Sequence, residues 1–187
     1  IPFAHVRLWK PGEFTDDTDQ MLCILNALLS DDGINPNTLA KNILNWYETD
    51  GMGCGALTYK IIHAPGWLEA PIETSKIVWE RTNKNSAPNG GLMRTSVVGL
   101  WNENVIENAE KACMVTHYDP RCVGSCVIAT LIINNLVWHN KELGYDEIIK
   151  IANQYDSRIA EWVTIAKENN DISELDLDEE KSIGYTL

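Results

Sequence analysis

Apolar residues recur along this chain at helical spacing, and turn-forming residues punctuate them. Met21, Leu22, Leu25, Leu28 and Leu29 fall on one stripe, which Asp31-Asp32-Gly33 ends. Pro36-Asn37-Thr38 opens a second predicted helix, with Leu39, Ile43, Leu44 and Tyr47 as its apolar positions and Gly51 as its stop. The glycine-dense turn Gly51-Met52-Gly53-Cys54-Gly55 leads into a short helix over 56–63, terminated by Pro65-Gly66. A polar-faced helix is predicted over 71–82, a loop of small and turn-forming residues over 83–91, a resumed helix over 92–101 and an amphipathic one over 104–115. Asp119-Pro120 pairs an N-cap residue with proline at the first helical position. The helix it opens, to about 138, is apolar on nearly every side, which places it at the centre of a bundle. A long amphipathic helix over 145–169 and an acidic linker over 171–181 complete the reading. With no β-alternation of useful length and no repeat, the pattern predicts one all-α domain over 1–187, a compact multi-helix orthogonal bundle.

Charge and cysteine usage narrow the picture. Fifteen basic against 27 acidic residues give a net charge of −12, which argues against nucleic-acid backbone binding as a main function. The acids are concentrated near 171–180, so much of that charge is local. Cys23, Cys54, Cys113, Cys122 and Cys126 form no CxxC pair and no zinc spacing with histidine; they read as reduced core thiols of a cytoplasmic protein. No signal peptide is visible. The longest apolar run, 126–138, is interrupted by Thr130, Asn134 and Asn135 and is too short to span a bilayer, so no membrane role is expected.

Three polar points interrupt the helical background, each at a loop-to-helix junction. Thr15-Asp16-Asp17-Thr18 offers hydroxyl and carboxylate oxygens suited to a hard cation such as Mg²⁺, and equally suits a capped helix start. Ser86–Arg94 places Asn89, Gly90 and Gly91 just ahead of a helix, where backbone N–H groups can approach a phosphate or ribose; the same residues make an ordinary interhelical turn. Arg94 reads either as a grip on an anionic ligand or as a buried partner of a carboxylate. In Thr116–Pro120, His117 precedes a helix N-terminus as a donor to a ligand oxygen or as a purely local hydrogen-bonding group. His5, His63 and His139 carry no functional reading. If helix N-termini converge on one cleft, they form an anion and metal site.

Taken in order, these segments resemble the ADP-ribosylglycohydrolase family. Phe14-Thr-Asp-Asp-Thr-Asp-Gln-Met21 looks like its metal-binding T-D-D-T motif. Trp46 with Gly51-Met-Gly-Cys-Gly55 and Thr58 looks like its W…G.G..T segment. Asn89-Gly-Gly-Leu-Met-Arg94 resembles its N-G…M-R loop, Thr116-His-Tyr-Asp-Pro120 its T-H…P turn, and Ser182-Ile-Gly-Tyr-Thr186 the start of a later helix. The resemblance implies hydrolysis of the N- or O-glycosidic bond joining ADP-ribose to an acceptor, normally with two Mg²⁺. It implies Thr15, Asp16 and Asp17 as metal ligands, Asp16 and Asp17 as the catalytic carboxylates, and Asn89, Gly90, Gly91 and His117 as substrate-binding residues. Its partners would be ADP-ribose or an ADP-ribosylated protein or small molecule. The alternative is a non-catalytic ADP-ribose-binding or structural member of the same fold.

The chain also departs from the family pattern. Fourteen residues precede Thr15 and hold no G-D-A-x-G element, and no D-x-D-T element follows; Asp176-Leu-Asp178 sits on the wrong side of Gly184-Tyr185. The family's first and last helices are thus expected to be lacking, leaving a fragment, a chain completed by a partner segment, or a degenerate member. Two octahedral ions need nearer twelve oxygens than three residues supply. Successive helical side chains diverge by about 100°, so Asp16 and Asp17 should serve different roles.

Overall fold

A computed structural model describes residues 9–10, 12–169 and 186, all α-helix, 3₁₀-helix and connecting turns with no strand. Eight α-helices succeed one another: α1 (Asp16–Asp31), α2 (Pro36–Thr49), α3 (Ala56–Ile62), α4 (Pro71–Arg81), α5 (Val105–Met114), α6 (Pro120–His139), α7 (Tyr145–Tyr155) and α8 (Ser157–Glu168). The predicted all-α class is the observed one. The sequence 171–181 lies outside the described residues, as does His5.

Local chemistry explains most boundaries. α2, α4 and α6 begin with proline, which loses nothing at a position where no intrahelical acceptor exists. Asn35 caps α2 by accepting from the Asn37 and Thr38 N–H groups, and Asp119 caps α6 by accepting from Arg121 N–H. α1 stops at Asp32, whose left-handed backbone lets its N–H reach Leu28 O. The next turn is tied to α5, where Asn108 Oδ1 accepts from Ile34 N–H at 2.8 Å.

Three expectations change. Instead of an α-helix over 92–101, the chain makes turns and then a 3₁₀ segment, Thr95–Leu100. Asn134 of α6 donates to the carbonyls of Gly99 and Trp101 at 3.2 and 3.1 Å, so side-chain hydrogen bonds end the segment where helix continuation would have used them. The predicted helix over 145–169 is two helices. Asp156 adopts extended backbone, accepts from Arg158 N–H as the cap of α8, and takes the Arg158 guanidinium on both carboxylate oxygens. The break lets α7 and α8 pack on each other and on α6.

The third change concerns α6. It packs against α5, α7, α8 and the 3₁₀ segment, and Arg121–Ile128 is buried except for Ser125. Its last turns are exposed, with Val137 at 56% and Trp138 at 50%. At 20 residues α6 is longer than the run read from sequence, and is long and apolar enough to cross a membrane by length and composition. Half of it lies buried in the helical array, so it is a core helix here. The main core gathers Ile24, Leu28, Leu39, Ile43, Ile61, Val98 and Val115, with Val127 contributed by α6, all nearly inaccessible to solvent. Trp67 is locked among them by an Nε1–H bond to Val115 O at 2.9 Å.

Candidate functional site

The first turn of α1, the 53–58 segment that starts α3, the 88–93 loop and His117 meet around one cleft of about 170 Å³. Asp16 and Gln20, one turn apart on the same face of α1, form one wall. Gly53, Gly55 and Thr58 form a second; Pro88, Asn89, Gly90 and Met93 a third; His117 closes the floor. All three polar points of the sequence therefore contribute. A wider groove of about 370 Å³ at the α1–α2 turn, bordered by Asp31, Asp32 and Glu107, includes none of the predicted site residues.

Each wall is held from behind. Gly53 has a left-handed backbone (φ +84°), and a Cβ there would stand 2.7 Å from Asp16 Oδ1, so only glycine lets the carboxylate pack against this turn. The 88–93 loop is fastened by Thr186, whose N–H donates to Ala87 O at 3.0 Å and whose hydroxyl donates to Pro88 O at 2.9 Å. Thr95 Oγ1 anchors the loop's end to Gly91 O at 2.6 Å. His117 sits in the five-residue connection between α5 and α6, with its N–H on Cys113 O at 2.8 Å. Two residues on, buried Asp119 holds Arg121 through both carboxylate oxygens and accepts from Trp79 Nε1–H at 2.9 Å, fixing the start of α6.

Behind the cleft lies a buried cation. Arg94 is fully inaccessible and donates to Gln20 Oε1 at 2.8 Å, Ala112 O at 3.1 Å and Thr116 Oγ1 at 2.6 Å. Those acceptors are neutral oxygens. Arg94 is therefore neither a cleft-lining grip nor the carboxylate partner the sequence suggested. Thr116 Oγ1 lies 2.7 Å from His117 Nδ1. Burial, and secondarily the charge of Arg94, hold His117 well below the ordinary imidazole value, so it is uncharged at neutral pH.

Asp16, Asn89, Gly90 and His117 line the cleft; Thr15, Asp17 and Gly91 do not. Thr15 and Asp17 are exposed at the start of α1, where the Thr15 hydroxyl donates to Asp17 Oδ2 at 3.1 Å and makes no capping bond. Gly91 is buried behind the loop, where a Cβ would come 2.9 Å from Cys113 Sγ. Sequence reasoning did not single out Gln20 or Met93, and placed Thr58 only within a motif. The available signal was Gln20's position four residues after Asp16, on the same helical face.

All five cysteines are free, and all but Cys54 are buried. Burial pushes the Cys122 thiol up to about 12 and those of Cys23 and Cys54 to about 11, which leaves them poor nucleophiles.

A family model described as ADP-ribosylglycohydrolase matches residues 2–187. The chain belongs to that family. Among its relatives, an uncharacterized protein of Archaeoglobus fulgidus is 28% identical over 166 residues, 86% of this chain and 52% of that protein. ADP-ribosylarginine hydrolase Tri1 of Serratia proteamaculans is 21% identical over 68% of this chain and 36% of its own length. The uncharacterized protein YegU of Escherichia coli is 33% identical over 67% of this chain and 38% of its own. The chain thus spans about half, or less, of these relatives.

For the Mg²⁺ that the family implies, the oxygens of Thr15, Asp16 and Asp17 fit a hard cation in kind. In number they fall short of one octahedral shell, and among the described residues no three His, Cys, Asp or Glu side chains gather as a metal-holding group.

Proposed function

We propose that the cleft binds ADP-ribose and that this chain carries the substrate-binding half of an ADP-ribosyl-acceptor hydrolase, reversing ADP-ribosylation of a protein or small molecule. The observation that carries the reading is the convergence of Asp16, Thr58, Asn89, Gly90 and His117, from four segments of the family pattern, on one cleft. The Asn89–Gly90 loop meets the diphosphate and distal ribose. His117, uncharged, donates from its ring to a ligand oxygen. The carboxylate of Asp16 takes the proton of a water that attacks C1″ through an oxocarbenium-like transition state, while the acceptor leaves with the electron pair of the broken glycosidic bond and is protonated from solvent. Of the three Mg²⁺ ligands that the family pattern implies, Asp16 is the one that lines the cleft, and an ion held there would supply polarisation of that water.

A second reading keeps the ADP-ribose cradle without catalysis. It is favoured by the exposure of Thr15 and Asp17 away from the cleft. Calorimetric titration of ADP-ribose, with and without Mg²⁺, alongside release of ADP-ribose from ADP-ribosylarginine and ADP-ribosylserine peptides, separates the two. Mg²⁺-dependent release, lost in Asp16→Ala and Asp17→Ala, supports the hydrolase. Binding without release supports the cradle, and no binding overturns both.

A further inference from the structure

Thr116 has a hydroxyl with two partners and one proton. Arg94 can only donate, so at 2.6 Å the Thr116 oxygen accepts from its NH2 group. The hydroxyl proton is left for the second partner, His117 Nδ1 at 2.7 Å. If Nδ1 carried the proton instead, Thr116 would accept twice and its buried O–H would have no acceptor, an arrangement that folded proteins avoid. Nδ1 is therefore the acceptor, and in an uncharged imidazole the hydrogen resides on Nε2. The Nε2 edge lies at the cleft wall, where a Cβ on Gly90 would stand 2.9 Å from it.

The same guanidinium orients a second cleft residue. Arg94 NH1 donates to Gln20 Oε1 at 2.8 Å, which assigns the oxygen end of that amide to the buried side. Gln20 is then left with its NH2 group for the cleft it lines.

We propose that Arg94, acting through Thr116 and Gln20, is a positioning residue that fixes His117 in the Nε2–H tautomer and presents two uncharged N–H donors to the cleft. The ligand chemistry this selects is an array of acceptor oxygens, such as a diphosphate or ribose hydroxyls. Arg94 touches no ligand; it sets the direction of donors that do. The identity of the ligand rests on the function proposed above, while the tautomer does not.

The test uses the ligand-free chain labelled with ¹⁵N-histidine. Long-range ¹H–¹⁵N spectra at neutral pH, with His117 assigned by the signal lost in His117→Asn, should show an unprotonated Nδ1 and a protonated Nε2. Thr116→Val, which removes the hydroxyl at similar volume, should abolish that exclusive tautomer and weaken ADP-ribose binding at least about tenfold; Thr116→Ser should restore both. An Nδ1–H or doubly protonated His117 in the parent chain overturns the proposal, as does an unchanged Nε2–H tautomer in the valine variant. Should that variant fail to fold, the parent and serine spectra decide, because Nδ1–H in either is sufficient to refute. If the parent shows the Nε2–H tautomer yet binds no ADP-ribose, the reading of function fails and the positioning role stands.

Discussion

Gly90→Ala is the sharpest single-atom probe of the cleft. Gly90 has no left-handed backbone to protect, so alanine adds a methyl group without conformational strain. That methyl carbon would stand 2.9 Å from His117 Nε2 and 3.0 Å from Cε1, with Thr58 Oγ1 at 3.8 Å. Ordinary contact begins at 3.4 Å, so the ring or the loop must give by about 0.5 Å. Neither yields easily: the ring is tied at Nδ1 to Thr116, and the loop is fastened through Ala87, Pro88 and Gly91. Overpacking of this kind costs about 1–3 kcal/mol. For a domain of this size each kcal/mol lowers Tm by roughly 2–4 °C, so a fall of about 2–12 °C is expected in a thermal melt followed by circular dichroism. ADP-ribose affinity should fall at least about tenfold in calorimetry, because the methyl also occupies the face that the donors address. Gly55→Ala is the control: it lines the same cleft, its Cβ would meet nothing within 4 Å, and its stability should stay within about 0.5 kcal/mol of the parent. A Gly90→Ala chain that melts and binds like the parent would refute the placement of His117 against the loop.

Other outcomes follow from the same geometry. His117 titrates well below its unfolded value near 6.5, so the unfolded chain takes up this proton first as pH falls. Its contribution to stability is complete above about pH 6.5 and declines below it by up to about 1.4 kcal/mol per pH unit. Urea melts at pH 7 and 5 should show that loss, with His117→Asn flattening it; an equal slope in the variant would refute the assignment. Asp146 and Asp156, held down mainly by hydrogen bonds from Lys167 and Arg158, lose their contributions only below about pH 4, outside that window. Asp119→Ala strands buried Arg121 and the Trp79 indole N–H and should cost about 3–5 kcal/mol by urea denaturation; under 1 kcal/mol would show that the pair is not structural. Iodoacetamide at neutral pH should modify the native thiols slowly, Cys54 first because it alone is not buried, and fast labelling of Cys113 or Cys126 by mass spectrometry would contradict the packing.

The helix starts were legible because their signals are local. Pro36, Pro71 and Pro120 each begin a helix, and Asn35 and Asp119 cap with their own side chains. The failures were at boundaries set by distant residues. Nothing within 92–101 announces that Asn134, more than thirty positions later, takes the carbonyls of Gly99 and Trp101. Asp156 did carry a local signal, an N-cap residue inside an apolar rhythm, but the continuous periodicity across it masked the break. In the site, the motifs gave the participating segments but not the direction of each side chain. Asp16 and Asp17 are neighbours with one chemistry, and the roughly 100° between them sends one into the cleft and the other to solvent. In sequence Gly90 and Gly91 suggest room for a phosphate, whereas in the structure their Cβ directions run into His117 and Cys113. A glycine pair required by packing and one required by a ligand look the same in sequence.

Arg94 joins these strands. The chain carries a net charge of −12, and the proposed ligand is itself anionic, so long-range attraction cannot hold them together. An exposed arginine in the cleft would attract the ligand directly, but would also be available to Asp16 on the opposite wall and would be screened by salt. Placed behind the wall instead, the guanidinium is bound only to neutral oxygens and keeps its field unscreened by water. It reaches the cleft through Gln20 and Thr116, each of which accepts from it and thereby turns a donor, its own amide or the ring of His117, toward the ligand. The carboxylate of Asp16 lines the same cleft as those donors. On the function proposed above, a base for water and donors for phosphate oxygens share one cleft, while the positive charge that orients those donors is engaged behind it by Gln20, Ala112 and Thr116.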